Sequence, residues 1–244
     1  GRQYFKDPWA ARDEYIDLIL DRSLDAQHQF FLKHATEKAW NDRSGALRLL
    51  EMQRFAMLMY TSCGWFFDEV SGIETVQIMQ YAARAAELNK QMSGVDLEPE
   101  LIKRLEAAPS NIRDLKNGAV VYQRFVLPQK MPLEKIAAQH AVAVLTDPTV
   151  NPAKAYDCEV KNFTPTSLSA PANHLYYGEL TLYSLITLEE RHFVFVALQQ
   201  GATSFLSAAM DAPADKDALF NALKTAFDKG RYDECAALIR QRFK

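Results

Sequence analysis

The sequence predicts an α+β protein, an N-terminal helical bundle followed by a small antiparallel β-sheet covered by C-terminal helices. Three observations carry the prediction. Residues from about 7 to 145 read as successive helices with recognisable start signals. After Asp147-Pro148 the texture changes to runs rich in aromatic and β-branched residues, separated by turn signals. Two further amphipathic stretches then close the chain. The expected division is residues 1–147 for the helical domain and 148–244 for the sheet subdomain with its two terminal helices.

The elements follow in order. Asp7 before Pro8 is an N-cap with proline at the first helical position, opening a helix that runs to Arg22. A second, about Asp25 to Trp40, is polar enough to lie on the surface. Ser44 opens a third through Leu47, Leu50, Phe55 and Met59 to Thr61; it is apolar almost all round, which predicts a central, buried helix. Ser71 and Glu74 form a Ser-x-x-Glu capping box for a fourth, ending near Met92. Glu98–Ala107, Asn111–Phe125 and Met131–Leu145 read as helices too. Strands are expected at Tyr156–Phe163, Leu175–Thr187, His192–Leu198 and Ser204–Met210, with turns at Leu188–Arg191 and Gly201. Lys216–Asp228 and Tyr232–Arg242 are the closing helices.

Composition excludes several function classes. The 244 residues carry 28 basic and 31 acidic side chains, a net charge of −3, so no nucleic-acid partner is expected. The apolar run Phe55–Tyr60 is far short of the ~20 residues a membrane span needs, and no membrane association is expected. Cys63, Cys158 and Cys235 form no Cys-x-x-Cys pair, which argues against a zinc ribbon or a disulfide framework and for a cytoplasmic setting. His28, His34, His140, His174 and His192 are scattered without metal-ligand spacing, and His28 and His34 read as surface residues. There is no phosphate-binding glycine loop and no nucleophile elbow. No metal and no cofactor is expected. The start, Gly1-Arg2-Gln3-Tyr4, has neither a methionine nor the apolar core of a signal peptide, so a piece of a longer protein is expected.

The informative block is residues 49–88. Glu51 and Arg54 stand three apart on one helical face, either as a buried ion pair that fixes packing or as support for the loop that follows. In that loop Gly64 supplies backbone freedom, and Trp65, Phe66 and Phe67 place three large rings beside Asp68 and Glu69. The rings either plug the core between helices or wall a pocket. Aromatic faces cover the C–H faces of sugars while carboxylates accept bonds from their hydroxyls. On the fourth helix Glu74, Gln77, Tyr81 and Arg84 fall within about a quarter of the circumference, a polar stripe that is either a solvated face or a docking face. Cys63 has no histidine near it in sequence to act as a base.

Phe5-Lys6-Asp7-Pro8-Trp9-Ala10-Ala11-Arg12, Leu49-Leu50-Glu51-Met52-Gln53-Arg54, Thr61-Ser62-Cys63-Gly64-Trp65-Phe66-Phe67-Asp68-Glu69, Ser71-Gly72-Ile73-Glu74-Thr75-Val76-Gln77 and Tyr81-Ala82-Ala83-Arg84 together resemble the domain of unknown function 3536. That domain stands behind a catalytic domain resembling glycoside hydrolase family 57. The resemblance implies the C-terminal portion of an α-amylase-like enzyme, with an upstream catalytic barrel and an α-glucan or oligosaccharide as partners. In several family 57 enzymes a Ser-x-Asp-Trp-Pro-Phe segment of the helical region reaches the active site. Ser62-Cys63-Gly64-Trp65-Phe66-Phe67 looks like its counterpart, with Gly64 in place of the aspartate and Phe66 in place of the proline.

The expected role is therefore a non-catalytic accessory domain. Trp65 and Phe66 would line a sugar cleft; Asp68, Glu69 and Glu74 would bind hydroxyls or steady the loop; Glu51, Arg54, Gln77, Tyr81 and Arg84 would lie behind them. No catalytic residue is expected, because the reacting carboxyls of a retaining glycosidase stand ~5–5.5 Å apart across the scissile bond, while adjacent Asp68 and Glu69 would point to opposite faces of a strand. Two alternatives are a purely structural docking domain, and a carbohydrate-binding module in the strand-rich half using Tyr176, Tyr177 and Tyr183, of which one set must face the core.

Overall fold

The computed structural model describes residues 1–147, 149–202 and 204–243; Pro148, at the expected change of texture, lies outside them. The chain is α+β and divides into two compact units, Gly1–Lys130 and Met131–Lys244.

The first unit is helical: α1 Pro8–Leu20, α2 Leu24–His34, α3 Glu37–Asn41, α4 Arg43–Leu58, α5 Cys63–Phe66, α6 Ile73–Ser93, α7 Glu98–Leu105 and α8 Gly118–Val121. Asp7 caps α1 as its sequence foretells, its Oδ1 accepting the Trp9 and Ala10 amides at 2.9 and 3.2 Å. Ala11, Tyr15 and Leu18, spaced four and three apart, turn inward. The helix expected over 25–40 is two. Ala35 leaves the helix to pair with Phe5, and the Thr36 hydroxyl accepts the Ala39 amide to start α3. Nor is α2 a surface helix: it buries Phe30, Phe31 and His34, since the Phe30 ring packs edge-on against Tyr15. His34 reaches Glu14 at 3.1 Å, which corrects its expected place at the surface.

Asp42 caps α4 at the Gly45 amide. The helix is central only in its first half, where Ala46, Leu47, Leu50 and Glu51 are buried. Beyond it, α6 packs along one flank while Gln53, Met57 and Tyr60 on the other face solvent, so the helix is not buried throughout. The expected capping box also fails. Gly72 is the N-cap of α6 and no side chain caps it, because the Ser71 amide is taken by Glu69. Likewise 111–125 is not one helix. It holds a 3₁₀ turn at Arg113–Leu115, then α8, capped by Asn117, which runs into a π turn over Tyr122–Val126.

The second unit begins with α9, Leu133–Thr146, followed by β1 Lys154–Ala155, β2 Cys158–Ala170, β3 Asn173–Ser184, β4 Glu190–Gln200 and β5 Ser204–Asp211, then α10 Lys216–Asp228 and α11 Tyr232–Arg242. The five strands form an antiparallel meander in sequence order. Alternation sorts their side chains to two faces. Leu180, Leu182, Phe193 and Phe195 pack with Ile136, Ala137 and Ala141 of α9. Leu175, Tyr177, Val196 and Leu198 pack with Leu219, Leu223 and Ile239 of α10 and α11. Hence α9, assigned to the helical half by pattern, belongs to the sheet unit, and the units divide at 130/131 rather than 147/148.

The β2 strand runs seven residues past its expected end because its second half is a polar edge strand. Thr164-Pro165-Thr166-Ser167 lacks the apolar signal, and proline is tolerated where no neighbour needs its N–H. Its register on β3 shifts between Lys161 and Thr164, bringing β2 so close that a Cβ at Gly178 would collide with the Thr164 carbonyl. Gly178→Ala should therefore cost roughly 1–3 kcal/mol, read as a lower melting temperature with the helical content of the first unit unchanged.

Candidate functional site

Backbone geometry presents the aromatic turn outward. After α4 the chain tightens through Tyr60 and Thr61, and α5 is one helical turn. Gly64 is the buried residue of that turn, pressed on α6 so closely that a Cβ would collide with the Ile78 side chain. The Thr75 hydroxyl of α6 donates to the Gly64 carbonyl at 3.0 Å and pins the turn there. With Gly64 inward, Trp65, Phe66 and Phe67 stand 63%, 79% and 54% exposed. The Phe66 and Phe67 rings meet edge to face at 5.0 Å. Of the two sequence readings, a plug between helices and a wall of a pocket, the exposures exclude the plug.

A groove of about 410 Å³ lies beside the turn. Met59 and Tyr60 from the end of α4, with Trp65 and Phe67, form one side; Ile78 and Met79 of α6 lie along it. Leu101 and Leu105 of α7 and the following Ala108-Pro109 complete it. Asp68 is the sole carboxylate among the described lining residues. A double-displacement hydrolase needs a pair, and the described lining carries one. Burying a large apolar side chain is worth ~1.5–3 kcal/mol, and Met57, Tyr60, Trp65, Phe66, Phe67 and Ile73 forgo that within one short segment of chain. Such clustering marks a contact surface.

Glu69 fixes the opposite edge. Its Oε1 accepts the Ser71 amide at 2.9 Å and the Ser110 hydroxyl at 2.7 Å, and its Oε2 accepts the Asn111 amide at 2.7 Å. The Asn111 side chain returns a bond to the Asp68 carbonyl at 2.8 Å. These donors, the Ser110 hydroxyl first, hold the Glu69 carboxyl well below the usual range, at about 2. The loop so clamped is strained: Lys116 sits at φ 54°, ψ −65°, and the Asn117 amide donates back to the Leu115 carbonyl at 2.5 Å, a γ-turn of the rare hand. Backbone bonds from Ser110 to Lys116 and from Gly118 to Ala108 close the loop's neck.

The other residues singled out by sequence are distributed as follows. Glu51 is buried and receives the Tyr15 hydroxyl at 2.5 Å, Arg22 at 3.2 Å and Arg54 at 3.1 Å, a junction of α1 and α4 away from the groove lining. Burial first, then this carboxylate, pushes the Tyr15 hydroxyl pKa up. Of the polar stripe on α6, Gln77 donates to Gln80, Tyr81 lies 6.0 Å from the Phe55 ring and Arg84 pairs with Glu87 at 2.8 Å; Glu74 is half-buried in the first turn. None of these lines the groove, and Phe66 projects outside it. Sequence reasoning predicted a helix over 98–107 but gave it and the 108–117 loop no part in the site. The apolar i, i+4 pair Leu101/Leu105 was the available signal, but nothing local says which neighbour it meets. Cys63 is exposed, with the Thr61 hydroxyl 3.5 Å from its sulfur. Among the described residues no group of three or more metal-binding side chains occurs, and no helix is long and apolar enough to cross a membrane.

The family described as domain of unknown function (DUF3536) matches residues 1–244. No curated protein and no solved structure matches the chain.

The Glu69 clamp carries a pH signature. Its folded-state pKa lies below that of an unfolded glutamate, so what it contributes is present above the ordinary carboxylate range and is lost as pH falls through about 2. Hydrogen exchange should show the Ser71 and Asn111 amides protected at pH 3.5, where an ordinary glutamate is largely protonated. Glu69→Gln should expose both amides at neutral pH.

Proposed function

We propose a reading that proceeds from one premise: the chain belongs to the family of the domain of unknown function (DUF3536). On this reading it is a non-catalytic accessory domain of an α-glucan-active glycoside hydrolase of the family 57 type. Its aromatic turn completes a substrate cleft built mainly by a catalytic barrel in the same polypeptide. The supporting observation is the exposure of three consecutive rings on a turn pinned from behind by Gly64 and Thr75, beside a groove with one carboxylate. Trp65 stacks on a sugar ring, Phe66 extends the stacking surface outward, and Asp68 accepts bonds from sugar hydroxyls. Glu69 and the first turn of α6, with Glu74, keep the turn in place. The acid and nucleophile belong to the barrel, and no metal or cofactor is required of this chain.

A second reading, a docking platform without contact to substrate, is favoured by the lining of the groove. Met59, Val70, Ile78, Met79, Leu101 and Leu105 suit an apolar partner better than a polyhydroxylated one.

The two readings separate in one variant of the full polypeptide. Trp65 is mostly exposed, so Trp65→Ala should cost about 0.5 kcal/mol of stability or less, against ~3–5 kcal/mol for a buried ring. Turnover on an α-glucan should fall at least tenfold with the melting temperature held. Undiminished turnover removes the substrate role, and dissociation of the helical unit from the barrel on gel filtration after limited proteolysis makes docking its only one.

A further inference from the structure

The sheet unit carries a surface that the reading above leaves unused and does not depend on. On the face shared with α9, the helix covers the end of the sheet around Leu180, Leu182 and Phe193. Two cross-strand rows at the other end lie beyond those residues. Register sets them out: Ser169, His174, Gln199 and Phe205 form one row, and Ser167, Tyr176, Ala197 and Ser207 the next, in which Ala197 is buried and Tyr176 and Ser207 are half-buried. The same parity sends Tyr177 to the opposite face, where it packs against Phe220, 4.9 Å between ring centroids. The tyrosine ambiguity in the sequence is thereby resolved for this pair: Tyr177 is core and Tyr176 lies half-buried on the other face.

We propose that the first row, with Ser167 and Tyr176 of the second beside it, is a binding platform for a neutral pyranoside chain. The His174 and Tyr176 rings are held within 16° of parallel with centroids 6.1 Å apart, and the imidazole Nδ1 is tied to the Ser169 hydroxyl at 3.1 Å. Phe205, 38% exposed, adds a third ring at the far side of the row. Four strands at ~4.8 Å spacing make the row about 14 Å wide, suited to an oligosaccharide rather than to one sugar. Polar groups alternate with the rings: the exposed Ser167 and Ser169 hydroxyls on β2, and the Gln199 amide, whose NH₂ is fixed on the Gly201 carbonyl at 3.1 Å, so that its oxygen remains to accept from a hydroxyl.

Charge selects the ligand class. Neither row contains a Lys, Arg, Asp or Glu, so the platform offers nothing to a phosphate backbone or an anionic lipid surface. A neutral, polyhydroxylated ligand with apolar C–H faces matches rings interleaved with hydroxyls and an amide. The platform is backbone-ordered by its ladders, so binding orders few side chains. The contrast with the other face is sharp. There Glu179, His192 and Lys216 are paired with one another, Lys216 at 2.7 and 2.8 Å and His192 at 2.6 Å from the carboxylate, and their charge is internally spent.

The test is affinity electrophoresis of the whole chain in gels containing soluble starch or, in parallel, hydroxyethyl cellulose, which separates α- from β-linked glucan. Retardation in at least one is expected. Tyr176→Ala and Phe205→Ala should each weaken it at least fivefold, in the Trp65→Ala background as in the wild type, and Tyr176→Phe should retain it. No retardation in either polymer, wild-type retardation of Tyr176→Ala, or loss confined to Trp65→Ala overturns the platform, and of these only the last supports the turn.

Discussion

One carboxylate sets the geometry of the groove. Glu69 has three donors from two segments distant in sequence, the Ser71 amide on its own loop and the Ser110 hydroxyl and Asn111 amide on the loop after α7. A carboxylate offers about four acceptor positions, so Glu69 is nearly saturated by the chain that carries it. The consequence reaches the groove directly: Ala108, Pro109 and Asp68 all line it, and the clamp joins the segments that carry them. The clamp also holds a loop whose Lys116 adopts a backbone conformation that costs about 1–3 kcal/mol by itself. A strained turn persists only where its surroundings determine it, and here the determining contacts are Glu69 below and the Ala108–Gly118 neck above.

A second constraint is steric and works from the opposite side. Gly64 has to be glycine because Ile78 occupies the place a side chain would take. Pressing the backbone of the turn against α6 leaves its next three residues nowhere to go but out. The exposure of Trp65, Phe66 and Phe67 is therefore a consequence of close helix–turn packing and not of a loose loop, which the Thr75 bond confirms from behind. Preorganised aromatic surface is costly in water and cheap to bind with, since little conformational entropy remains to be lost.

Where periodicity and local chemistry agreed, the fold was legible. Asp7-Pro8, the aromatic and β-branched strand His192–Leu198 and the two closing helices needed no tertiary information. Failures share a cause: a residue with a strong local meaning was claimed by a distant partner. Ser71 reads as half of a capping box, but its amide belongs to Glu69. Thr36 interrupts a pattern that looks continuous because Phe5 pairs with Ala35. The polar second half of β2 has no apolar signal to read, being an edge. Likewise, α9 carries a helix signature that cannot say whether helices or a sheet will cover Ile136 and Ala137. For the site, the aromatic turn was visible as composition. Its orientation depended on one contact between Gly64 and Ile78, and the groove's far wall on α7, neither of which a local pattern contains.

The same logic separates the carboxylates that hold this protein together from those left for a ligand. Glu51 lies 2% exposed under a tyrosine and two arginines, closed off from any ligand in solution. Glu98 takes the Tyr122 hydroxyl and Lys130; Glu179 takes Lys216 and His192. Each replaces water by several donors, which is what burying or half-burying a carboxylate requires. Against that background Asp68 differs. Its backbone carbonyl is engaged by Asn111, while its side chain stands exposed on the rim of an apolar groove next to Trp65. An acid placed there keeps its oxygens exposed, able to accept hydroxyl or amide donors from whatever lies on the rings.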